Sequence, residues 1–396
     1  MNTSLHCEFA RSFPQSANRC LVVRPIVVRF LLACAALAPL SFASAADEPG
    51  HSGESEHEYT ISANRLKTPL IRQGNSVTII TAEQIESSKQ TQLIEVLKTV
   101  PGLDIVQSGG LGGNAAIFLR GANSEHTLVL VDGIEINNPI SNSRSFNFAD
   151  ISLDNVERIE VIRGPQSTVY GSDALGGVIN IITKRGGGDF AGSVEAQAGS
   201  YSTFIEKASA SGGLDGMRYS IGASREDSDS ISSAGAAYGN TEDDSYQNTS
   251  VASRIGLDPL EQFSTDLIFR YNSSRTDLDN TGGFGGDDPN RLLENQQLFT
   301  RAEARTSFLD GTFNQRAGLS YTSHDLEDSN DPDAAHPLDR LRSNFTGELV
   351  KFDIQSDFKA GEYNTVVVGF ETEHEQGSSY LSSDSAFGPF DTSFGE

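Results

Sequence analysis

"VERIEVIRGPQSTVYGSDALGGVINIITK" (Val156–Lys184) contains two runs rich in β-branched residues, joined by a glycine-rich segment. Gly171 and Gly176 have the spacing of a phosphate-binding loop. Such a loop needs Lys and then Ser or Thr after its second glycine, and it must open a helix. Here Gly177 and Val178 fill those positions, and a strand-forming run follows. The glycines therefore indicate turns and close packing at the start of a strand, and not a nucleotide site.

The part of the chain before this run has the signals of a compact mixed α/β domain. Ser76–Thr81 predicts a strand, and its last residue forms the capping box of a helix with Gln84. The apolar periodicity that follows predicts two short helices with a break near Ser87–Thr91. Asp132-Gly133, between two apolar runs, is a hairpin turn signal. Further strands are predicted at Leu103–Val106, Ala115–Gly121, Thr127–Ile136, Val156–Gly164 and Gly177–Thr183.

After Gly186 the pattern changes to long alternation of apolar and polar residues. In Phe263–Asn272, for example, the odd positions are mostly apolar and the even positions mostly polar. Strands with one apolar and one polar face are typical of a water-lined transmembrane β-barrel; β-sandwich strands, the alternative, are usually shorter. We expect about eight or nine antiparallel strands in this half. Short turns alternate there with long polar breaks at Glu226–Asn248, Ser273–Gln296 and His324–Ser343.

The N-terminus has the pattern of an export signal. Arg24 and Arg29 precede the apolar stretch Phe30–Phe42, and small residues follow it, so residues 1–46 are predicted to be a signal peptide. All three cysteines lie inside this segment, which leaves the mature chain without a disulfide. A lipoprotein signal ending at Cys34 is the alternative. Residues 47–64 form a polar, acidic leader.

The charge of the chain excludes one class of partner. It carries 54 acidic and 29 basic residues, a formal net charge of -25. Nucleic-acid binding needs clustered Lys and Arg against phosphates, so no nucleic-acid partner is expected. No HExxH or GxSxG motif is present, and no enzymatic activity is expected.

The blocks Ala115–Asn137 and Val156–Lys184 closely resemble the plug domain of TonB-dependent outer-membrane receptors. Ala63–Pro69 ("ANRLKTP") and Ile117–Gly133 are most similar to the vitamin B12 (cobalamin) receptor group of that family. The resemblance implies a mixed α/β plug domain at 65–186 and, at 187–396, part of a transmembrane antiparallel β-barrel of the 22-stranded type. Such a barrel needs well over about 400 residues, so a C-terminally truncated chain is expected.

The resemblance also implies a function and a place. The expected function is active import of a large scarce nutrient across the outer membrane of a Gram-negative bacterium. Cobalamin is the nutrient that the resemblance implies. TonB, with its inner-membrane energising complex, would pair with a periplasmic segment before the plug and rearrange the plug. A siderophore or iron-chelate receptor is the alternative ligand class. A passive porin or adhesin is the alternative of another class.

Four sets of candidate site residues follow from the resemblance. The segment that would pair with TonB by strand addition, the TonB box, is Glu58, Tyr59, Thr60, Ile61, Ser62 and Ala63; the alternative is the first plug strand. The candidate ligand contacts in two apical plug loops are Leu111, Gly113, Asn114, Asn138, Ser141, Asn142 and Arg144; the alternative is solvated turns.

The other two sets concern charge. Arg120 and Arg163 are the plug arginines that the resemblance pairs with barrel glutamates as a plug–barrel latch; the alternative is an ordinary packing ion pair. No cofactor is expected except calcium, which takes six to eight oxygen ligands. The candidate calcium ligands are Asp227, Asp229, Asp243 and Asp244; the alternative is a solvated acidic loop.

Overall fold

The computed structural model describes residues 60–61, 68–69, 76–139, 144–232, 243–279, 288–333, 337–361, 364–384 and 388–395. All of them belong to the compact unit Ser55–Glu396. Among these residues, no helix has the length and apolarity needed to cross a membrane.

The N-terminal half of this unit is a mixed α/β domain. Its largest sheet has five strands in the order β3-β8-β9-β6-β7, in which only the β6–β9 pair is parallel. The strands are β1 Thr60–Ile61, β2 Thr68–Pro69, β3 Ser76–Thr81, β4 Leu103–Gln107, β5 Ala115–Leu119, β6 Thr127–Val131, β7 Ile134–Glu135, β8 Val156–Arg163 and β9 Gly177–Thr183. The helices are α1 Ala82–Ser88, α2 Leu93–Leu97 and α3 Ser167–Tyr170.

Short-range sequence rules explain these elements. The Gln84 amide donates to Thr81 Oγ1 at 3.3 Å and the Thr81 amide donates to Gln84 Oε1 at 3.0 Å, which is the capping box that begins α1. The helix ends as predicted, at Lys89, which has a φ of 57°. Asp132 and Gly133 have φ values of 50° and 85°, the two positive angles of a tight hairpin turn between β6 and β7.

Gly177 shows why the glycine-rich segment needs its glycines. A Cβ at this position would lie 2.2 Å from the Ile162 carbonyl oxygen and 2.4 Å from Leu119 Cδ2. The close approach lets β9 enter the sheet between β8 and β6. The predicted role in turns and close packing is thereby confirmed.

The C-terminal half is one sheet of ten strands, each paired antiparallel with the next along the chain. These are β10 Ala191–Ala198, β11 Phe204–Leu214, β12 Met217–Ser228, β13 Tyr246–Leu260, β14 Phe263–Asp277, β15 Leu292–Phe308, β16 Phe313–Asn330, β17 Leu341–Lys359, β18 Thr365–Ser383 and β19 Phe390–Gly395. The predicted count of eight or nine was too low. Strands such as β15 also begin inside the predicted polar breaks, where the alternation of apolar and polar residues disappears.

The two faces of the ten-stranded sheet differ in chemistry. Leu257 and Leu267 point outward and are about half exposed, at 49% and 54%. Arg254 and Asp266, on the other face of the same strands, are at most 3% exposed. The inner face is therefore polar and covered by the α/β domain, while the outer face is apolar and uncovered, as in a transmembrane barrel wall.

Candidate functional site

The segment Asp150–Asn155, here called the docking segment, joins the α/β domain to the inner face of the sheet. Ser152 Oγ donates to Ser250 Oγ at 2.8 Å, and Arg270 Nη2 donates to Ser152 Oγ at 3.0 Å. Further side-chain contacts run from Ser224 to Asp154 and from Ser220 to Asn155. Within the segment, Ile151 and Leu153 pack in the domain core, while the polar residues that alternate with them contact the sheet.

Asp150 is the most buried carboxylate of the docking segment. Its side chain accepts hydrogen bonds from Asn295 Nδ2 at 2.7 Å and from the Tyr246 hydroxyl at 3.3 Å, while its backbone carbonyl accepts from Asn248 Nδ2 at 2.9 Å. Burial raises the pKa of Asp150, and these neutral donors offset part of that effect. The docking segment therefore reaches four neighbouring strands, β12 to β15, by buried polar contacts.

A second buried contact lies near the short-turn edge of the sheet. Arg254 Nη1 is 3.0 Å from Asp132 Oδ1, and Arg254 Nε is 3.1 Å from Asp266 Oδ1. Asp132 also accepts from the Thr183 amide at 3.1 Å. The β6–β7 turn and the end of β9 are thus held against β13 and β14.

A third contact involves Glu135 of β7. Its Oε2 lies 3.2 Å from Lys351 Nζ, its Oε1 lies 3.4 Å from Arg144 Nη2, and its carbonyl accepts from Thr322 Oγ1 at 2.8 Å. Burial raises the pKa of Glu135, and the charge of Lys351 counteracts that effect most strongly. Arg144, in turn, contacts Asp173 of the glycine-rich segment and Glu375 of β18.

The first apical loop, residues 107–114, packs against the long-loop edge of the sheet. A Cβ at Gly112 would lie 2.2 Å from Thr276 Oγ1 and 2.6 Å from Tyr246 Cδ2. Thr276 and Tyr246 lie at the same ends of β14 and β13, beside the longer connections. The loop therefore reaches the level at which these strands end.

The structure brings only some of the candidate ligand contacts together. Five are described: Leu111 and Asn138 are half-buried, Gly113 is buried, Asn114 is exposed, and Arg144 is engaged with three carboxylates. Ser141 and Asn142 lie outside the described residues. A ligand-contact role for all seven stays a prediction.

The candidate TonB box is described in part. Thr60 and Ile61 form β1, which pairs antiparallel with Thr68–Pro69. Glu58, Tyr59, Ser62 and Ala63 lie outside the described residues. The described pair is extended, which is the backbone form that strand addition requires.

The two candidate latch arginines lie close to each other in the α/β domain. Arg163 Nη2 donates to Thr78 Oγ1 at 2.8 Å and Nη1 donates to the Pro101 carbonyl at 2.5 Å. Burial, and then the like charge of Arg120, lowers the pKa of Arg163. In the described part of the chain neither arginine forms an ion pair with a carboxylate, so the predicted latch stays a prediction.

The candidate calcium ligands occupy the base of the β12–β13 loop. Asp227 is paired with Arg225, through contacts of 2.6 and 2.9 Å. Asp243 is exposed and Asp244 is buried, and the Asp229 amide donates to the Tyr201 carbonyl at 2.9 Å. Across the described ranges, no group of three or more potential ligand side chains has metal-binding geometry. The calcium site stays a prediction.

Sequence reasoning missed the docking segment and the ion pairs of Arg144. The residues of the docking segment lie in a loop-like stretch, and their partners are about 65 to 145 positions away in the chain. One signal was present: Arg254, Asp266 and Arg270 are charged residues at the inward positions of strands whose outward positions are apolar. Charges on that face indicate a polar partner inside the barrel.

Comparisons with known proteins agree with this architecture. The family model of the TonB-dependent Receptor Plug Domain matches residues 69–178. The vitamin B12 transporter BtuB of Photobacterium profundum is 32% identical over 256 residues, which are 64% of this chain and 41% of that protein. The vitamin B12 transporter BtuB of Vibrio vulnificus is 46% identical over 123 residues, which are 31% of this chain and 20% of that protein. The chain thus spans about two fifths or less of the length of these two relatives.

A solved structure shares the fold of both halves. The pyoverdine outer-membrane receptor FpvA of Pseudomonas aeruginosa PAO1 superposes with a TM-score of 0.67 at 17% identity, over 84% of this chain and 51% of that chain. At this identity the likeness concerns the fold alone. The α/β domain is the part matched by the plug family, and the ten-stranded sheet corresponds to part of the receptor barrel. Residues 69–178 therefore match the TonB-dependent receptor plug domain, and the ten-stranded sheet that follows shares the fold of part of such a receptor's barrel.

Proposed function

We propose that the protein imports cobalamin across the outer membrane by TonB-dependent active transport. The observation that carries this proposal is the similarity of the chain to vitamin B12 transporters, which reaches 46% identity over 123 residues. The wider match to such a transporter extends over 256 residues, more than the plug alone occupies. A polar inner wall filled by a plug fits a gated import path rather than an open pore.

The proposed energy input acts on the candidate TonB box. Thr60–Ile61 is a two-residue strand held by only one partner, Thr68–Pro69, among the described residues. A pairing this short is marginal in water, so the segment can exchange its partner for the edge of a sheet in TonB. A substitution that removes a backbone N–H group from this segment would remove a hydrogen-bond donor that the pairing with TonB needs.

One experiment tests both parts of the proposal. Binding and uptake of labelled cyanocobalamin are measured in cells carrying the protein, with and without TonB. Ile61→Pro should abolish uptake and leave binding intact, because it removes an N–H donor from the box, while Ile61→Val is the matched control with a β-branched side chain. Absence of saturable cyanocobalamin binding would rule out the cobalamin assignment. Uptake that persists without TonB would rule out the energised mechanism.

A siderophore receptor is the second candidate. It is favoured by the fold of FpvA, whose structure contains bound pyoverdine, although the 17% identity of the two chains supports the fold alone. Competition decides between the two: ferric siderophores that displace labelled cyanocobalamin, or that bind when cyanocobalamin does not, would favour the second candidate.

Calcium is a separate part of the proposal. Asp243 and Asp244 are adjacent at the base of the β12–β13 loop, and Asp244 is only 3% exposed. The loop base also contacts the β14–β15 loop, since Ser232 Oγ donates to the Asp279 carboxylate at 3.1 Å. Calcium bound between the two loops would fix them relative to each other. If it does so, EDTA should weaken cyanocobalamin binding, Asp244→Asn should remove the calcium dependence, and equal binding with and without calcium would contradict this part.

A further inference from the structure

Arg144 lies in an apical plug loop from which sequence reasoning predicts a ligand contact, yet its guanidinium is already engaged. Nε lies 2.9 Å from Asp173 Oδ2, Nη1 lies 2.7 Å from Glu375 Oε1 and Nη2 lies 3.4 Å from Glu135 Oε1. Each guanidinium nitrogen therefore faces a carboxylate. A ligand could use this side chain only by displacing one of them.

The three carboxylates belong to three separate parts of the molecule. Glu135 is in plug strand β7, Asp173 is in the glycine-rich segment before β9, and Glu375 is in barrel strand β18. The bond to Glu375 joins positions 231 residues apart in sequence. Arg144 is thus the centre of a cluster, here called the Arg144 cluster (Arg144, Glu135, Asp173 and Glu375), that ties two parts of the plug to the barrel wall.

The backbone of Arg144 is held in an unfavourable conformation. Its φ is 48°, in the left-handed region that side chains other than glycine rarely adopt. The Asn137 side chain donates to its carbonyl oxygen at 2.9 Å, and the ion pairs hold the other end of the residue. When the ion pairs break, the side chain no longer helps the Asn137 hydrogen bond to hold Arg144 in this conformation, and relief of the backbone strain favours release.

The Arg144 cluster differs from the docking segment in its exposure to water. The side chains of Arg144 and Glu375 are 33% and 32% exposed. In the docking segment Asp150 and Ser152 are at most 7% exposed. Ion pairs that water and salt reach are weak and exchange readily, whereas buried polar contacts are costly to break.

We propose that Arg144 is a positioning residue that holds the plug to barrel strand β18, and that this contact opens while the docking segment stays in place. The opening step rests on the proposed import function. The attachment itself concerns the resting protein and can be measured without any transport.

The experiment uses a single-cysteine reporter, which is unambiguous because the three native cysteines all lie within residues 1–46, the predicted signal peptide. Ser145→Cys, next to Arg144, is labelled with a water-soluble maleimide in isolated outer membranes. Glu375→Gln, which keeps the shape of the side chain and removes its charge, should raise the labelling rate about three- to fivefold. Glu371→Gln is the matched control on the same face of β18, 3.9 Å from Lys351, and should change the rate by less than about twofold.

Salt gives a second measurement of the same contact. Raising NaCl to about 1 M should speed labelling of the Ser145→Cys protein severalfold. The effect should be clearly smaller when Glu375→Gln is also present, because the pair with the barrel is already lost and only the pairs with Glu135 and Asp173 remain for salt to weaken. Cyanocobalamin affinity should stay within about twofold in Glu375→Gln. Labelling that is insensitive to both salt and Glu375→Gln would overturn the proposal, as would a large loss of affinity without a change in labelling.

The outcomes separate this proposal from the proposed function. If labelling responds as expected but the protein neither binds nor imports cyanocobalamin, the attachment stands and the import assignment fails. If the protein imports cyanocobalamin but labelling does not respond, the role of Arg144 fails and the import assignment stands.

Discussion

Replacement of Gly177 by alanine tests whether close packing at the start of β9 is what the glycine-rich segment provides. The new Cβ would lie 2.2 Å from the Ile162 carbonyl oxygen. That oxygen belongs to β8, which is paired on both sides by β3 and β9, so it cannot withdraw without breaking a pair. Overpacking of this kind costs about 1–3 kcal/mol, and the φ of 153° adds about 1 kcal/mol. We expect a loss of about 3 kcal/mol in the free energy of unfolding of the plug.

The matched control is Gly121→Ala. Gly121 has a φ of 77°, but a Cβ at this position would have no heavy atom within 4 Å, so only the backbone cost of about 1 kcal/mol applies. Pulse proteolysis of the plug across a urea series measures both variants. With a slope of about 2 kcal/mol/M, the urea midpoint should fall by about 1.5 M for Gly177→Ala and about 0.5 M for Gly121→Ala. Equal shifts in the two variants would refute the packing argument.

Three further predictions concern the plug and its attachment. Asn137→Ala should lower the free energy of unfolding by about 2–3 kcal/mol in the same urea assay, since three buried or half-buried backbone groups lose their partner. Burial raises the pKa of Asp150 above 3.8, so the folded plug takes up a proton at pH values where the unfolded chain is still ionised. The free energy of unfolding should therefore rise as the pH falls from that raised pKa toward 3.8. Urea midpoints of Asp150→Asn should lack this rise. The Ser152 and Ser250 hydroxyls are 2.8 Å apart, so the double variant Ser152→Cys with Ser250→Cys should form a disulfide, seen as a mobility shift on non-reducing gels. Cyanocobalamin uptake should continue when this disulfide has formed. Uptake that stops on oxidation and returns on reduction would show that the docking segment moves.

The plug elements were predictable because their signals are short-range. The capping box of Thr81 and Gln84 lies within four residues, and the Asp132-Gly133 turn lies within two. Strand β9 was predicted with its observed bounds, Gly177–Thr183, because a β-branched run that follows a glycine needs no distant partner to be recognised.

The barrel strands were less predictable, since their signal depends on what surrounds each residue. Alternation is present where one face is apolar, as in Phe263–Asn272. Toward the long loops the alternation is lost: Leu292–Gln296, two leucines followed by three polar residues, falls in a predicted break although it begins β15. Backbone hydrogen bonds continue to pair the strands there, and the order of side-chain types along the sequence does not reveal them.

The candidate site was predictable in position but only partly in role. The loop containing Arg144 was identified, but its carboxylate partners come from β7, the segment before β9 and β18, and no local pattern connects those positions. The docking segment has the same difficulty, because Asp150 and Asn295 become neighbours only when the plug enters the barrel. Contacts of this kind depend on how the plug is positioned against the barrel strands, which no local sequence pattern encodes.

The length of the barrel strands has a consequence for where a ligand is first met. Strands β17 and β18 have 19 residues each, about 63 Å of extended chain, and a tilt of about 40° leaves a height of about 48 Å. The apolar band of an outer-membrane barrel is about 25 Å tall, so on the order of 20 Å of polar wall stands clear of the lipid. Gly112 packs against Tyr246 and Thr276 near the upper ends of their strands. The plug apex is therefore raised to the height of the rim, and an incoming molecule touches it before reaching the depth of the membrane.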